Sequence, residues 1–244
     1  VGGERIDAQL ADAKAFCERL GYLPLALELV SRYLELDEDL SIAEVQSELD
    51  EMRTHAYALL KDDSAASMTA KLGVAEAFEL SLRRLDEASQ TLATVLSLFA
   101  ATPILWDWVQ ACFSQPPAPT LRRQRKKLLQ NSLLQRVEKN IYQLHPLIQE
   151  FLRVRFADEA HTTPLKEGFC QVMVQIAQTI PQPPTRDQIV QATPTMPHIA
   201  EAATTWQSCL ADDELIWPFV GLGRFYEGQG AFGQAEPWRE ECHK

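Results

Sequence analysis

Apolar residues three and four positions apart recur along almost the whole chain, and one short stretch departs from that rhythm. Such spacing gathers side chains on one face of an α-helix, so the chain is constrained to a mainly helical fold with a single interruption. From Asp7 the stripe runs through Leu10, Ala13, Phe16, Cys17 and Leu20, and Gly21 stands where such a helix stops. Pro24 then opens a second helix at its first position, where a missing N–H costs nothing; Leu25, Leu27, Leu29, Val30, Tyr33 and Leu34 follow on it. Ser41-Ile42-Ala43-Glu44 is a capping box, which predicts a third helix running to about His55. The polar run from Lys61 to Ser67 reads as a loop and a subdomain boundary. Helices over Gly73 to Leu85 and Glu87 to Ala100 come next, with Asp86 as the N-cap of the second. Trp106, Val109 and Phe113 mark a short helix before a turn at Gln115-Pro116-Pro117-Ala118-Pro119.

The interruption follows a basic helix, Thr120 to Leu129. Ser132 to Val137 and Ile141 to Leu144 alternate in character, and Glu138-Lys139-Asn140 between them has turn chemistry, which predicts a β-hairpin. Helical spacing resumes from Pro146 through Leu147, Ile148, Phe151, Leu152 and Val154. Several helices, a hairpin and a further helix are the order of a winged-helix domain. Beyond Thr163 the pattern predicts helices over Leu165 to Ile180 and from Pro197, with a loop punctuated by Pro181, Pro183, Pro184 and Pro194 between them. The C-terminal stretch reads as a helical hairpin turning at Gly228-Gln229-Gly230.

Charge narrows the partners. A formal net charge of −11 disfavours a general binder of nucleic acid or of anionic membranes, both of which need a positive field. Five cysteines, widely spaced and without a C-x-x-C pair, do not make a disulfide framework or a zinc knuckle, and read as reduced thiols of a cytoplasmic protein. No apolar run approaches the ~18 residues of a membrane span. The opening Val1-Gly2-Gly3 lacks a methionine and a signal-peptide pattern, and Cys242-His243-Lys244 falls within helical patterning, so the sequence is expected to be a piece of a longer protein.

Three segments carry a family resemblance. Leu20-Gly21-Tyr22-Leu23-Pro24-Leu25-Ala26-Leu27 resembles the GLPLA motif of NB-ARC-type STAND ATPases. Gln143-Leu144-His145-Pro146-Leu147-Ile148-Gln149-Glu150-Phe151 is similar to the MHD segment that ends their winged helix. Leu222-Gly223-Arg224-Phe225-Tyr226, with Gly230, Phe232 and Ala235, resembles the start of a tetratricopeptide repeat. The resemblance implies that Pro24 lies against the base and sugar of a bound nucleotide, ADP or ATP. It also implies that His145 contacts the β-phosphate of ADP in the closed state. An imidazole suits that role, since it donates to phosphate whether neutral or protonated. Two positions depart from the family: Pro146 replaces the MHD aspartate, and Arg239 stands where the repeat usually has an aromatic residue.

A nucleotide site also needs a Gly-rich loop of converging N–H groups, a lysine and magnesium ligands. The sequence has no G-x-x-x-x-G-K-[ST] and no Gly-Lys dipeptide. The resemblance therefore places the P-loop domain upstream of Val1 and makes this fragment alone non-enzymatic, with no cofactor held tightly. Nor is there a G-x-S-x-G elbow, an H-E-x-x-H helix or a metal-like histidine spacing.

A rival signal is the run Arg122-Arg123-Gln124-Arg125-Lys126-Lys127. It lies on the helix before the hairpin, where a DNA-reading winged helix places its recognition helix, and Arg136 and Lys139 follow on the hairpin. The other readings are a contact with an acidic partner or a solvated face, because consecutive basic residues point all round a helix. Trp206, Trp217, Phe219, Phe225, Tyr226, Phe232 and Trp238 read as packing residues. One repeat unit cannot bury its own faces, so downstream repeats or a second copy are the expected partners there.

These readings give a mainly α chain in three parts. Residues 1–66 form a helical lid subdomain, 67–160 a winged-helix domain with one β-hairpin, and 161–244 an α-helical linker with a tetratricopeptide-like hairpin. The expected function is that of a regulatory fragment of an ADP/ATP-switched signalling ATPase. The alternatives are a DNA-binding winged-helix regulator and a protein–protein interaction scaffold.

Overall fold

The computed structural model of the chain describes residues 9–58, 65–113, 118–157 and 162–242. In chain order the elements are α1 (Leu10–Arg19), α2 (Pro24–Glu35), α3 (Ile42–Ala58), α4 (Ala65–Arg83), α5 (Glu87–Leu98), β1 (Ile104–Leu105), α6 (Trp106–Ala111), α7 (Ala118–Gln130), β2 (Gln135–Glu138), β3 (Ile141–Gln143) and α8 (Pro146–Arg155). Then come α9 (Thr163–Gln178), α10 (Arg186–Ala192), α11 (Met196–Thr204), α12 (Ile216–Gly228) and α13 (Phe232–Glu241). The fold is mainly helical with one small sheet among the described residues. No helix among them is long and apolar enough to cross a membrane.

Contacts divide the chain into two compact units. The first comprises Val1–Ala93, Pro119–Gln135 and Leu144–Arg155. Its centre is α4, whose residues from Leu72 to Leu82 are all buried. A helix without a solvent face must be packed on every side, and α4 meets both α2 and α3. Phe78 also packs on Phe151 of α8, with ring centroids 5.6 Å apart. At Gly73 a Cβ would stand 3.0 Å from Leu20 Cα, so only glycine lets the end of α1 come so near without displacement. Burial carries two carboxylates inside. Glu76 is met by Arg19 at 3.1 Å, and Glu79 by Arg155 of α8 at 3.6 Å.

The predicted capping box is formed: Ser41 N–H donates to Glu44 Oε2 at 2.7 Å and Glu44 N–H to Ser41 Oγ at 3.2 Å. Asp86 caps α5 as predicted, accepting from Ser89 N–H at 3.0 Å. The polar run expected to be a loop is corrected in part. Ala65 to Ser67 are already helical, while Lys61 to Ser64 lie outside the described residues. The proline turn before α7 likewise lies outside them from Gln115 to Pro117, and α7 itself begins at Ala118, two residues before the expected start.

The second unit comprises Thr94–Ala118, Arg136–Gln143 and Phe156–Lys244. Its sheet has the order β1-β3-β2, where a single hairpin was expected. The added strand β1 runs antiparallel to β3, with Ile104 opposite Tyr142 and Leu105 opposite Ile141. Asn140 closes the hairpin turn at φ 66°, a conformation asparagine tolerates, and its carbonyl accepts from Trp106 N–H at 2.9 Å. The core of this unit joins Phe99 to Phe169 of α9, an edge-on pair with centroids 4.9 Å apart. Trp206 ties in by donating from Nε1 to Leu98 O at 2.9 Å. The loop expected between α9 and α11 contains the helix α10, capped by Thr185 and Gln188. The terminal helical hairpin is α12 and α13, turning at Gln229 to Ala231 with Gly230 at φ 73°.

Candidate functional site

Pro24 sits where the chain reverses between α1 and α2. Gly21 and Tyr22 both take positive φ, 63° and 54°. Tyr22 N–H returns to Cys17 O at 3.0 Å and Gly21 N–H to Glu18 O at 2.9 Å. This is a Schellman close, which satisfies the last carbonyls of α1 and aims the chain so that Pro24 starts α2. Leu20 is fully buried beside it, whereas Tyr22 is 65% exposed and Pro24 is exposed. The turn thus offers a proline ring and a phenol ring to solvent from a rigid base.

His145 stands at the join of β3 and α8. Its carbonyl accepts from Gln149 N–H at 3.0 Å, and its ring Nδ1 accepts from Leu147 N–H at 3.2 Å. The side chain is therefore the N-cap of α8. An Nδ1 that accepts has no proton, which puts the proton of the neutral ring on Nε2. The half-buried imidazole presents that N–H at a helix N-terminus, where backbone dipoles favour negative charge. Pro146 occupies the first helical position and is exposed.

Pro24 and His145 belong to the same unit, and α4 links their elements. Leu20 backs onto Gly73, and five residues further along α4 Phe78 meets Phe151 of α8. A cavity of about 90 Å³ in this unit, walled by Phe16, Cys17, Leu27, Val30 and Leu34, is far smaller than the ~300 Å³ or more of ordinary ligand pockets.

The basic helix α7 divides into faces. Leu121, Gln124 and Leu128 are buried, while Arg122, Arg123 and Lys126 are exposed together on the opposite side. Lys127 is taken up by an ion pair with Asp86, and Arg125 is half-buried. The Lys127 ammonium, with the Ser89 hydrogen bonds next, holds the Asp86 carboxyl down to about 2. Three of the five basic residues named from the sequence therefore make up an open cationic face.

No motif in the sequence singles out His198. The ring is wholly buried. Its Nδ1 accepts from Ala100 N–H at 3.1 Å and its Nε2 lies 3.1 Å from Pro103 O, between the rings of Phe99 and Trp108. Burial pushes its pKa down to about 4. No local signal gives this away, because its partners lie almost a hundred residues earlier. Among the described residues no group of three or more His, Cys, Asp or Glu side chains is placed to hold a metal ion. His161 and His243 lie outside the described residues, and of His55 only its place in α3 is described.

Comparison with protein-family models, curated proteins and solved structures finds no match for this chain.

Proposed function

We propose that this chain is the helical-lid, winged-helix and repeat-entry portion of a cytoplasmic, ADP/ATP-switched signalling ATPase of the NB-ARC type. In this reading residues 1–66 are the lid, 67–160 the winged helix, and 161–244 the linker and first tetratricopeptide-like repeat. The nucleotide is held mainly by a P-loop domain that the same polypeptide carries upstream of Val1. Pro24 meets its base and sugar, and His145 its β-phosphate. Exchange of ADP for ATP frees the winged helix, and the repeats sense a partner.

The observation that carries the reading is the state of His145. Its Nδ1 is occupied by Leu147 N–H, which leaves Nε2–H to donate from the N-terminus of α8. The element order α5-β1-α6-α7-β2-β3, with β3 between β1 and β2, supports the winged-helix part, because a winged helix pairs its first strand with its last. The Schellman turn before Pro24 supports the lid part. Pro146 cannot do whatever the aspartate of relatives does, so the phosphate contact rests on His145 alone.

The experiment is to read the gene upstream of the Val1 codon for G-x-x-x-x-G-K-[ST] between a strand and a helix. Its presence is expected, and its absence overturns the reading. Calorimetric titration of this chain alone with ADP or ATP is expected to give no micromolar binding, and micromolar affinity would contradict the division of labour.

A second reading draws on the exposed face of Arg122, Arg123 and Lys126. One cationic face on the helix before the hairpin is what a DNA-contacting winged helix needs. A low-salt gel shift decides it. A retarded species lost on reversing those three charges favours DNA binding, and no retardation removes it.

A further inference from the structure

Away from Pro24 and His145, the second unit contains a cavity of about 510 Å³ lined by Cys112, Cys170 and Cys209, with Glu167 and Glu214 also on its wall. Three of the chain's five cysteines thus line one space, although they come from three separate parts of the sequence. Cys170 lies on α9, Cys112 ends α6, and Cys209 closes a single 3₁₀ turn over Gln207–Cys209.

One backbone atom is met by two of them. The carbonyl oxygen of Trp206 accepts from Cys209 N–H at 2.9 Å and is 3.6 Å from Cys170 Sγ. Cys209 through its amide and Cys170 through its thiol therefore share a single acceptor, and both residues line the same cavity. They differ in access: Cys170 is 1% exposed and Cys209 half-buried. Burial first, then the charges of Cys209 and Glu167, push the Cys170 thiol up to about 12. Cys112 is turned inward, donating to Trp108 O at 3.2 Å within its own helix.

We propose that Cys170 and Cys209 form an oxidisable dithiol site whose co-reactant is a small hydroperoxide. The Cys209 thiolate attacks the terminal peroxide oxygen; an S–O bond forms, the O–O bond breaks, and the leaving oxygen takes a proton. Cys170 sulfur then attacks the Cys209 sulfenic sulfur, so that S–S forms, S–O breaks, and the departing hydroxide takes the Cys170 proton to leave as water. Two thiols are oxidised by two electrons and one peroxide is reduced. The product pins the turn at Gln207–Cys209 to α9. In a reducing compartment such a bond is transient, which suits sensing more than stabilisation. This inference does not depend on the nucleotide reading.

The test is to treat the folded chain with dilute hydrogen peroxide and map its peptides without reduction. The expected result is a Cys170–Cys209 cross-link, reversed by dithiothreitol and lost in Cys209→Ala but kept in Cys112→Ala. A trivalent aryl arsenical gives a second readout that needs no oxidation: it should bridge the same pair, releasing water, and fail to do so in Cys209→Ala. Cys209 sulfinic acid without cross-link, a Cys112–Cys170 bridge in place of the expected one, or no arsenical bridge at the pair would each overturn the proposal.

Discussion

Arg19 donates from both Nε and Nη2 to one oxygen of Glu76, at 3.3 and 3.1 Å, and so ties the end of α1 to the buried middle of α4. Glu76 is buried and Arg19 a quarter exposed, so the pair is a partly desolvated one whose value lies in not being broken. Among the described residues Arg19→Met leaves the carboxylate with Arg53, 3.9 Å away, and should cost about 3 kcal/mol in urea unfolding. Adding Glu76→Gln should recover most of that loss. A double variant no more stable than Arg19→Met would show that the pair is not the cause.

The same carboxylate predicts a pH dependence. Burial pushes Glu76 above its ordinary value of 4.5 despite the opposing pull of Arg19. A carboxyl that holds its proton more tightly when folded contributes stability that is present below 4.5 and lost as pH rises through the raised value. Glu76→Gln should therefore flatten the decline in stability above pH 4.5, as read by unfolding midpoints across that range. An unchanged slope would contradict the assignment.

Asp86 works in the opposite direction. Its pKa is held down to about 2 by Lys127 and Ser89, so its contribution is present above 3.8 and lost as pH falls through that lower value. The side chain is half exposed, which discounts the shift, and Asp86→Ala should cost about 1 kcal/mol, the value of an N-cap with a screened ion pair. Lys127→Met should cost less than Asp86→Ala, because the cap to Ser89 survives. Equal losses would mean that the ion pair carries the effect.

His198 predicts acid sensitivity in the second unit. Protonation would place a proton on Nδ1, where Ala100 N–H already donates. With the folded pKa lowered to about 4, the stabilisation is complete above 6.5 and is lost as pH falls towards 4. A shift of this size is worth about 3 kcal/mol. Fluorescence of Trp108, whose ring lies against His198, should report unfolding that moves to lower denaturant over that interval. His198→Asn keeps an acceptor for Ala100 and should lose most of the pH dependence; if it persists, another group is responsible.

What the sequence revealed follows from how local each signal is. The capping box at Ser41 and the N-cap at Asp86 lie within three residues of their partners, which makes both legible. A second capping box, Thr185 to Gln188, has the same local form but was hidden among prolines that read as loop. β1 is two residues long, too short to show alternation, and exists because β3 offers it an edge. At the candidate site, Pro24 and His145 stand out by their resemblance to motif positions, whereas the tautomer of His145 needs the position of Leu147 N–H. Helical spacing separates Arg122, Arg123 and Lys126 from the buried Gln124, but the capture of Lys127 depends on Asp86, 41 residues away. The shared acceptor of Cys170 and Cys209 is likewise a product of packing.

The most direct test of the proposed switch is ADP retention by the longer polypeptide that the proposal implies, with His145 wild type or changed to Asp. Aspartate is a good N-cap and keeps the bond to Leu147 N–H, so α8 and the fold survive, while its charge repels a phosphate. Expected is unchanged melting with at least about a tenfold loss of ADP retained after gel filtration, the scale of one charge-assisted hydrogen bond. His145→Asp protein that retains ADP like the wild type would contradict it.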